Sequence, residues 1–259
     1  MLFDTHTHID QEEFDENRDQ IIQQAHEAGV TQLVAVGCTV ESSKKAVLLA
    51  GKYEGVFAAV GLQPNYLAKL GPDDWSSIVK LVNQPGVVAV GETGLDRYWD
   101  YSPFDVQQDY FDRHIRLAQQ HDLPFVVHMR SCDADIMRML REARQRGLLN
   151  GIMHSFTGDV AMAAECVELG LHISFAGMVT FKKSTELRAC AATIPPDRLL
   201  IETDSPYLSP EPVRGKKPNQ PAHVRHIAEC LAIVRGVSLE ELAAQTTANA
   251  ENLFGIVST

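Results

Sequence analysis

The chain has 259 residues, 45 % hydrophobic and 22 % charged, a composition that buries a large core and excludes a disordered or fibrous protein. A formal net charge of −11 argues against a protein that coats long nucleic acid, since such binding neutralises many phosphates with Lys and Arg. It leaves open one that grips a chain end through a metal. Five cysteines (Cys38, Cys132, Cys166, Cys190, Cys230) lie far apart without C-x-x-C spacing. That argues against a zinc ribbon or disulfide framework and reads as small packing residues in a reducing compartment.

The first element is LFDTHTHID, residues 2–10. A strand alternates its side chains, so His6 and His8 share a face while Asp4 flanks them. An H-x-H pair alone is a weak signal, because a strand histidine is more often a partly buried polar residue bonded to a neighbour. Its meaning depends on what converges on it.

Further β-rich runs follow in order: TQLVAVG from Thr31, VFAAVGL from Val56, VVAVGETGL from Val87, PFVVHM from Pro124, GIMHSF from Gly151, HISFAGM from His172 and LLIETDSP from Leu199. Several are continuous apolar runs, as parallel strands covered by helices require. Between them lie stretches with helical spacing, such as RDQIIQQAHEAG before the second run and FDVQQDYFDRHIRLAQQHDL before the fifth, often closing on a glycine suited to a helix C-cap. Residues 221–256 supply the last helical material. Strand then helix, eight times over, is the arithmetic of a (β/α)8 TIM barrel. Without a repeat, low-complexity segment or linker, one domain over 1–259 is expected, with a doubly wound open sheet as the alternative. No stretch approaches the length of a bilayer span and the start MLFDTHTH carries no leader pattern, so a cytoplasmic protein without a membrane partner is expected.

In a barrel the functional residues sit at the C-terminal ends of the strands. The first run ends in His6 and His8, the fourth in Glu92, the fifth in His128, the sixth in His154 and the eighth in Asp204. Buried ionisable groups without partners are costly, so six at equivalent positions argue against core histidines. Histidines mixed with carboxylates suit Zn, Mn or similar divalent ions, and Mg where carboxylates dominate. Six ligands exceed the need of one open catalytic ion. Glu92 in the middle could bridge two, with His6 and His8 on one side and His128 and His154 on the other, an arrangement for two-metal hydrolysis. Asp204 is then either a purely structural ligand or the general base, and the latter is the preferred reading.

The series DTHTHID, VGETGLD, PFVVHMR, HSFTGD, IETDSPYL and NQPAHV resembles the TatD family of metal-dependent deoxyribonucleases, a branch of the amidohydrolase-like TIM barrels, in order and over nearly the whole chain. The resemblance implies metal ligands at His6, His8, Glu92, His128, His154 and Asp204. It also implies hydrolysis of phosphodiester bonds in DNA, often from the 3′ end of single strands, with Mg or another divalent cofactor. One position departs from it. Where the family carries a histidine in a GxHP motif after the third strand, this chain reads VGLQPNY with Gln63. Glutamine can donate a hydrogen bond to a phosphate, but it neither becomes a cation nor protonates a leaving group, and it is a poor transition-metal ligand.

Arg130, just past the fifth strand, has a fork that matches phosphate oxygens or a neighbouring acid. Ser155 and Thr157 offer hydroxyls to a phosphate or serve a turn before the helix near Asp159. The loops after strands seven and eight hold Lys182, Lys183, Arg214, Lys216 and Lys217, a candidate positive rim or a solvated charge run. Asn219 ties down its loop or touches substrate. Asp96 is expected to orient a ligand or pair with an arginine, with Arg97 beside it. Tyr98, Trp99, Tyr101 and Tyr207 offer faces for unpaired bases or pack the loops.

The leading expectation is a monomeric enzyme with two divalent ions that takes DNA chain ends as substrate. Hydrolysis of an amide, lactone or other ester on the same scaffold is the second. Amide-type relatives often use a carboxylated lysine at the fourth strand, where this chain has Glu92. A non-catalytic barrel is the third, for which Gln63 is the only hint.

Overall fold

The computed structural model describes residues 1–99 and 101–256, so residue 100 and the last three of the expected 1–259 domain lie outside it. The chain alternates β1 (Leu2–Thr7), α1 (Arg18–Glu27), β2 (Val30–Val36), α2 (Val40–Lys52), β3 (Val56–Val60), α3 (Asp74–Leu81), β4 (Val87–Asp96), α4 (Phe104–Gln120), β5 (Phe125–Arg130), α5 (Asp133–Arg146), β6 (Gly151–Met153), α6 (Val160–Leu169), β7 (Leu171–Phe175), α7 (Thr185–Thr193), β8 (Leu199–Ile201), α8 (Val224–Arg235) and α9 (Leu239–Phe254). Each strand pairs in parallel with the one before it. The first meets the last at a Thr7–Ser205 bridge. That seam makes the sheet a nearly closed (β/α)8 barrel and removes the doubly wound alternative.

The seam is tied by polar groups rather than by a long ladder. The amide of His8 donates to the Ser205 carbonyl (2.7 Å) and that of Asp204 to the His6 carbonyl (2.9 Å). Beneath them the buried Asp4 carboxylate accepts from the Thr203 amide (2.8 Å) and hydroxyl (2.5 Å). The C-terminal ends of β1 and β8 are therefore joined by the residues that flank His6, His8 and Asp204.

Helix ends follow local chemistry. Thr39 and Ser42 form a reciprocal capping box at the start of α2, Ser238 and Glu241 another at α9, and Asp159 caps α6 through the Met162 amide. Two glycines in β4 have a different task. Gly91 and Gly94 sit at φ +137° and +134°, and a Cβ there would lie 2.8 Å from the Val126 carbonyl oxygen and 2.0 Å from that of His128. Their missing side chains let β4 press against β5 just where Glu92 and His128 must meet.

Inside the barrel, Phe3, Val34, Val36, Ala59, Ala89, Val126, Ile152 and Leu200 form one cluster with Ala250, Leu253 and Phe254 of α9. Helix α9 thus seals the end opposite the loops. Its Asn249 donates to the carbonyls of Pro196 (2.7 Å) and Leu199 (2.9 Å) at the foot of β8. A larger cluster packs the helices onto the outer face of the strands. Among the described residues no helix is long and apolar enough to cross a membrane.

One buried polar link belongs to this outer layer. His114 of α4 accepts the Leu62 amide through Nε2 (3.0 Å) and donates from Nδ1 to the Tyr110 carbonyl (2.6 Å). Burial pushes its imidazole down to about 4. The unfolded imidazole takes its proton near 6.5 and the folded one only near 4, so this contribution is complete above pH 6.5 and is lost as pH falls toward 4. The loss amounts to about 3 kcal/mol. Urea denaturation at pH 7 and pH 4.5 is expected to show a smaller acid loss in His114→Gln than in the parent chain. Equal pH dependence would contradict the assignment.

Candidate metal centre

Period-two alternation explains three of the converging strands. Val126, Ile152 and Leu200 point into the barrel, and two residues further along each strand stand His128, His154 and Glu202, with Asp204 two beyond that. The other two strands need an irregularity. The β1–β2 register shifts between Asp4 and Thr7, and the β4–β5 register between Val90 and Thr93. These breaks re-aim His6, His8 and Glu92 toward the same axis.

Glu92, 3 % exposed, is the hub. Its Oε2 lies 3.6 Å from Nε2 of both His6 and His8, while Oε1 lies 2.8 Å from His128 Nδ1 and 3.3 Å from His154 Nε2. Among the described residues three donor groups form: His6–His8–Glu92 and Glu92–His128–His154 share this carboxylate, and His6–His154–Glu202 does not use it. Asp204 joins the first, with Oδ1 3.5 Å from His8 Nε2 and 3.8 Å from His6 Nε2. The six residues expected as ligands therefore come together from five strands.

The far nitrogens of three imidazoles are fixed. His8 donates from Nδ1 to the Val36 carbonyl (2.9 Å), His128 from Nε2 to Asp96 (3.0 Å), and His154 from Nδ1 to Glu202 (3.1 Å). With that proton committed outward, a neutral ring presents its lone pair inward, the tautomer a cation needs. The donor set therefore fits divalent ions with a preference for mixed nitrogen and oxygen ligation.

Electrostatics point the same way. Burial alone would raise the Glu92 carboxyl, but the surrounding imidazoles of His154, His128 and His6 hold it well below the usual range. Burial opposes charge on His154, yet Glu92 and Glu202 keep it well above an ordinary imidazole. His6 is pushed down, by burial first and by His154 second, its ring stacked on His154 at 4.1 Å between centroids. In the absence of ions, protons on the imidazoles compensate the buried carboxylates, and cations must displace them.

Asp96 orients His128, as expected. Burial works against its charge, but that bond and the Trp99 amide hold it at about 2. Arg97 pairs with Asp135 (2.9 Å) and stacks on Phe104. Arg130 lies over the Tyr98 ring at 4.0 Å and the Trp99 ring at 5.5 Å. Gln63 is buried, and its Oε1 accepts from the Asn65 amide (2.9 Å) at the head of a short helix. Ser155 contributes its backbone, whose amide binds Glu202 (2.8 Å), and Thr157 is exposed. The five basic residues of the last two loops are exposed, with Arg214 stacked on Phe181.

Asn219 takes the first of its two expected roles and ties down its loop. It is fully buried, its amide nitrogen donates to the carbonyls of Thr203 (3.0 Å) and Tyr207 (2.6 Å), and its oxygen accepts from His223 (2.8 Å). All its polar atoms hold the loop after β8, which leaves none for substrate.

Two participants escaped the sequence reading. Glu202, in the same IETD run as Asp204, was legible from its two-residue spacing to that aspartate. Cys38, read as a packing residue, lies with Sγ 3.6 Å from Glu92 Oε2 and 3.7 Å from His8 Nδ1. Burial pushes its thiol up to about 12, so it stands there as a neutral donor.

A family model described as TatD related DNase matches residues 3–255. The chain belongs to the TatD-related DNase family. Among its relatives, it is 39 % identical over 256 residues to the uncharacterized metal-dependent hydrolase YabD of Bacillus subtilis (strain 168), covering 99 % of this chain and 100 % of that one. It is 34 % identical over 260 residues to the 3′-5′ ssDNA/RNA exonuclease TatD of Salmonella typhimurium, covering 99 % and 100 %. The crystal structure of YJJV, a TatD homolog from Escherichia coli K12, superposes with a TM-score of 0.92 at 29 % identity, covering 99 % of this chain and 98 % of that one.

If Asp96 and Glu202 act by aiming imidazoles, Asp96→Asn and Glu202→Gln will each weaken divalent-ion binding about 10–100-fold. Titration of metal-stripped protein with Mn or Zn, beside circular dichroism to verify folding, reads this. Unchanged affinity in folded variants would reduce both acids to loop supports.

Proposed function

We propose that this chain, a metal-dependent hydrolase of the TatD-related family, cleaves phosphodiester bonds at the 3′ ends of single-stranded DNA, as a monomer. The observation that carries the reading is the position of Glu92 in two of the three donor groups at once. His6, His8 and Asp204 would hold one divalent ion (Mg, Mn or Zn), His128 and His154 would hold a second, and Glu92 would serve both. Such ions, when bound, polarise a phosphoryl oxygen and lower the pKa of water. The relative from Salmonella typhimurium is named as an exonuclease on single-stranded nucleic acid, which supports phosphodiesters over amides or lactones.

Asp204 is the general base. It stands at the open edge of the cluster, 9 % exposed against 1 % for His6, and occupies the left-handed region at φ +53°. Aspartate tolerates that conformation better than most residues, and the surroundings must hold it there. Its carboxylate accepts the proton of a water that attacks phosphorus. The bond from phosphorus to the 3′ oxygen of the preceding nucleotide breaks, and the terminal nucleotide leaves with a 5′ phosphate. Arg130, Gln63, Ser155 and Thr157 are the groups assigned to the phosphates. Gln63 donates a hydrogen bond but no proton, so the departing oxygen takes its proton from solvent. Tyr98, Trp99 and Tyr101 are 57, 39 and 58 % exposed and present ring faces on which unpaired bases stack.

Asparagine adopts the same backbone region as aspartate, so Asp204→Asn removes the base with little strain. On a 5′-labelled single-stranded oligonucleotide, metal-stripped protein supplied with Mg, Mn or Zn is expected to shorten the strand from its 3′ end. Asp204→Asn is expected to slow this about 10²–10⁴-fold. Tight ion binding without any cleavage would contradict the phosphodiesterase reading and favour an ester or amide substrate.

A further inference from the structure

Beside the candidate centre, a cavity of about 350 Å³ opens between the loop after β1 and the start of α2. His8 and Cys38 are part of its lining, so whatever fills it abuts the donor cluster around Glu92. The volume lies at the small end for ligand pockets and suits one nucleoside-sized group rather than a length of chain. Tyr66 and Tyr207, 41 and 48 % exposed, contribute ring surface to its lining.

The charge of this cavity is opposite to what a phosphate-binding groove requires. Asp10, Glu12, Glu13 and Glu41 line it, against Lys45 alone among cations. Asp10 is 3 % exposed, and its Oδ1 has no hydrogen-bond partner among the described residues. A buried carboxylate oxygen without a donor is costly, and here it borders a cavity from which a donor can come. Arg130, with its aromatic neighbours, stands at the end of β5, four strands around the barrel from β1. The two sides of the mouth therefore differ in sign, cationic and aromatic across from an acidic cleft.

Resting on the phosphodiesterase reading above, we propose that this cavity is the subsite for the terminal nucleoside of the substrate strand. Asp10 accepts a hydrogen bond from the free 3′ hydroxyl, and the carboxylate lining rejects a strand that ends in a 3′ phosphate. The subsite's volume admits one nucleoside, so cleavage falls one nucleotide from the end. The rest of the strand leaves over the Arg130 side, where its phosphates meet positive charge.

The test uses three 5′-labelled single-stranded oligonucleotides of one sequence, ending in a 3′ hydroxyl, a 2′,3′-dideoxy residue or a 3′ phosphate. Each is offered to the parent protein and to Glu12→Lys/Glu13→Lys, whose altered side chains are exposed. The hydroxyl end is expected to react fastest and the phosphate end slowest, by about tenfold or more. The double variant is expected to narrow the hydroxyl-to-phosphate ratio. Equal rates on all three ends, or a ratio that the variant leaves unchanged, overturns the subsite while the phosphodiesterase reading stands. Failure to cut any of the three overturns both.

Discussion

One buried carboxylate organises this molecule. Glu92 lies within 3.6 Å of imidazole nitrogens from three other strands, in a place where an isolated ionised group would be strongly disfavoured. Its charge is tolerable only because positive charge can gather around it, as protons on imidazoles or as bound cations. Each of those imidazoles must then be aimed, and the aiming groups, Asp96, Glu202 and the Val36 carbonyl, are buried in their turn. Catalytic geometry here is set by a nested series of polar contacts rather than by side-chain packing.

The barrel makes that series affordable by fixing where each strand ends. Helix α9 closes the far end with apolar side chains, and the β1–β8 seam is latched by Asp4 and Thr203 directly beneath the site. The residues that close the barrel thus stand on the two strands that lead to His6, His8 and Asp204. A fold whose last pairing depends on a few polar bonds next to its functional centre couples the two: disturbing the latch moves His6 and Asp204.

The eight strands were legible because parallel strands buried on both faces leave continuous apolar runs, and their chain-order pairing follows from the alternation with helices. His128 and His154 were legible because the alternation of β5 and β6 runs up to them, and Asp204 as a residue type just past the end of β8. His6, His8 and Glu92 were legible as residue types at strand ends, but the register breaks that aim them were not, since a local shift leaves no mark in hydrophobic pattern. For Asn219 two roles stayed open because an asparagine near a basic loop looks the same whether its amide faces substrate or three backbone and side-chain partners. Cys38 was missed because a small apolar-looking residue carries no signal of its neighbours. The acidic cavity is assembled from two loops distant in sequence, so only the fold reveals it.

The account stands on the claim that Glu92 serves two ions at once. The most direct measurement is the number of Mn or Zn ions retained per chain after reconstitution and dialysis, for the parent protein and for Glu92→Gln, with circular dichroism to show that both are folded. The account predicts two ions per parent chain, with affinity at both sites lost together in the variant. One ion per chain, or a variant that keeps either site intact, would contradict it.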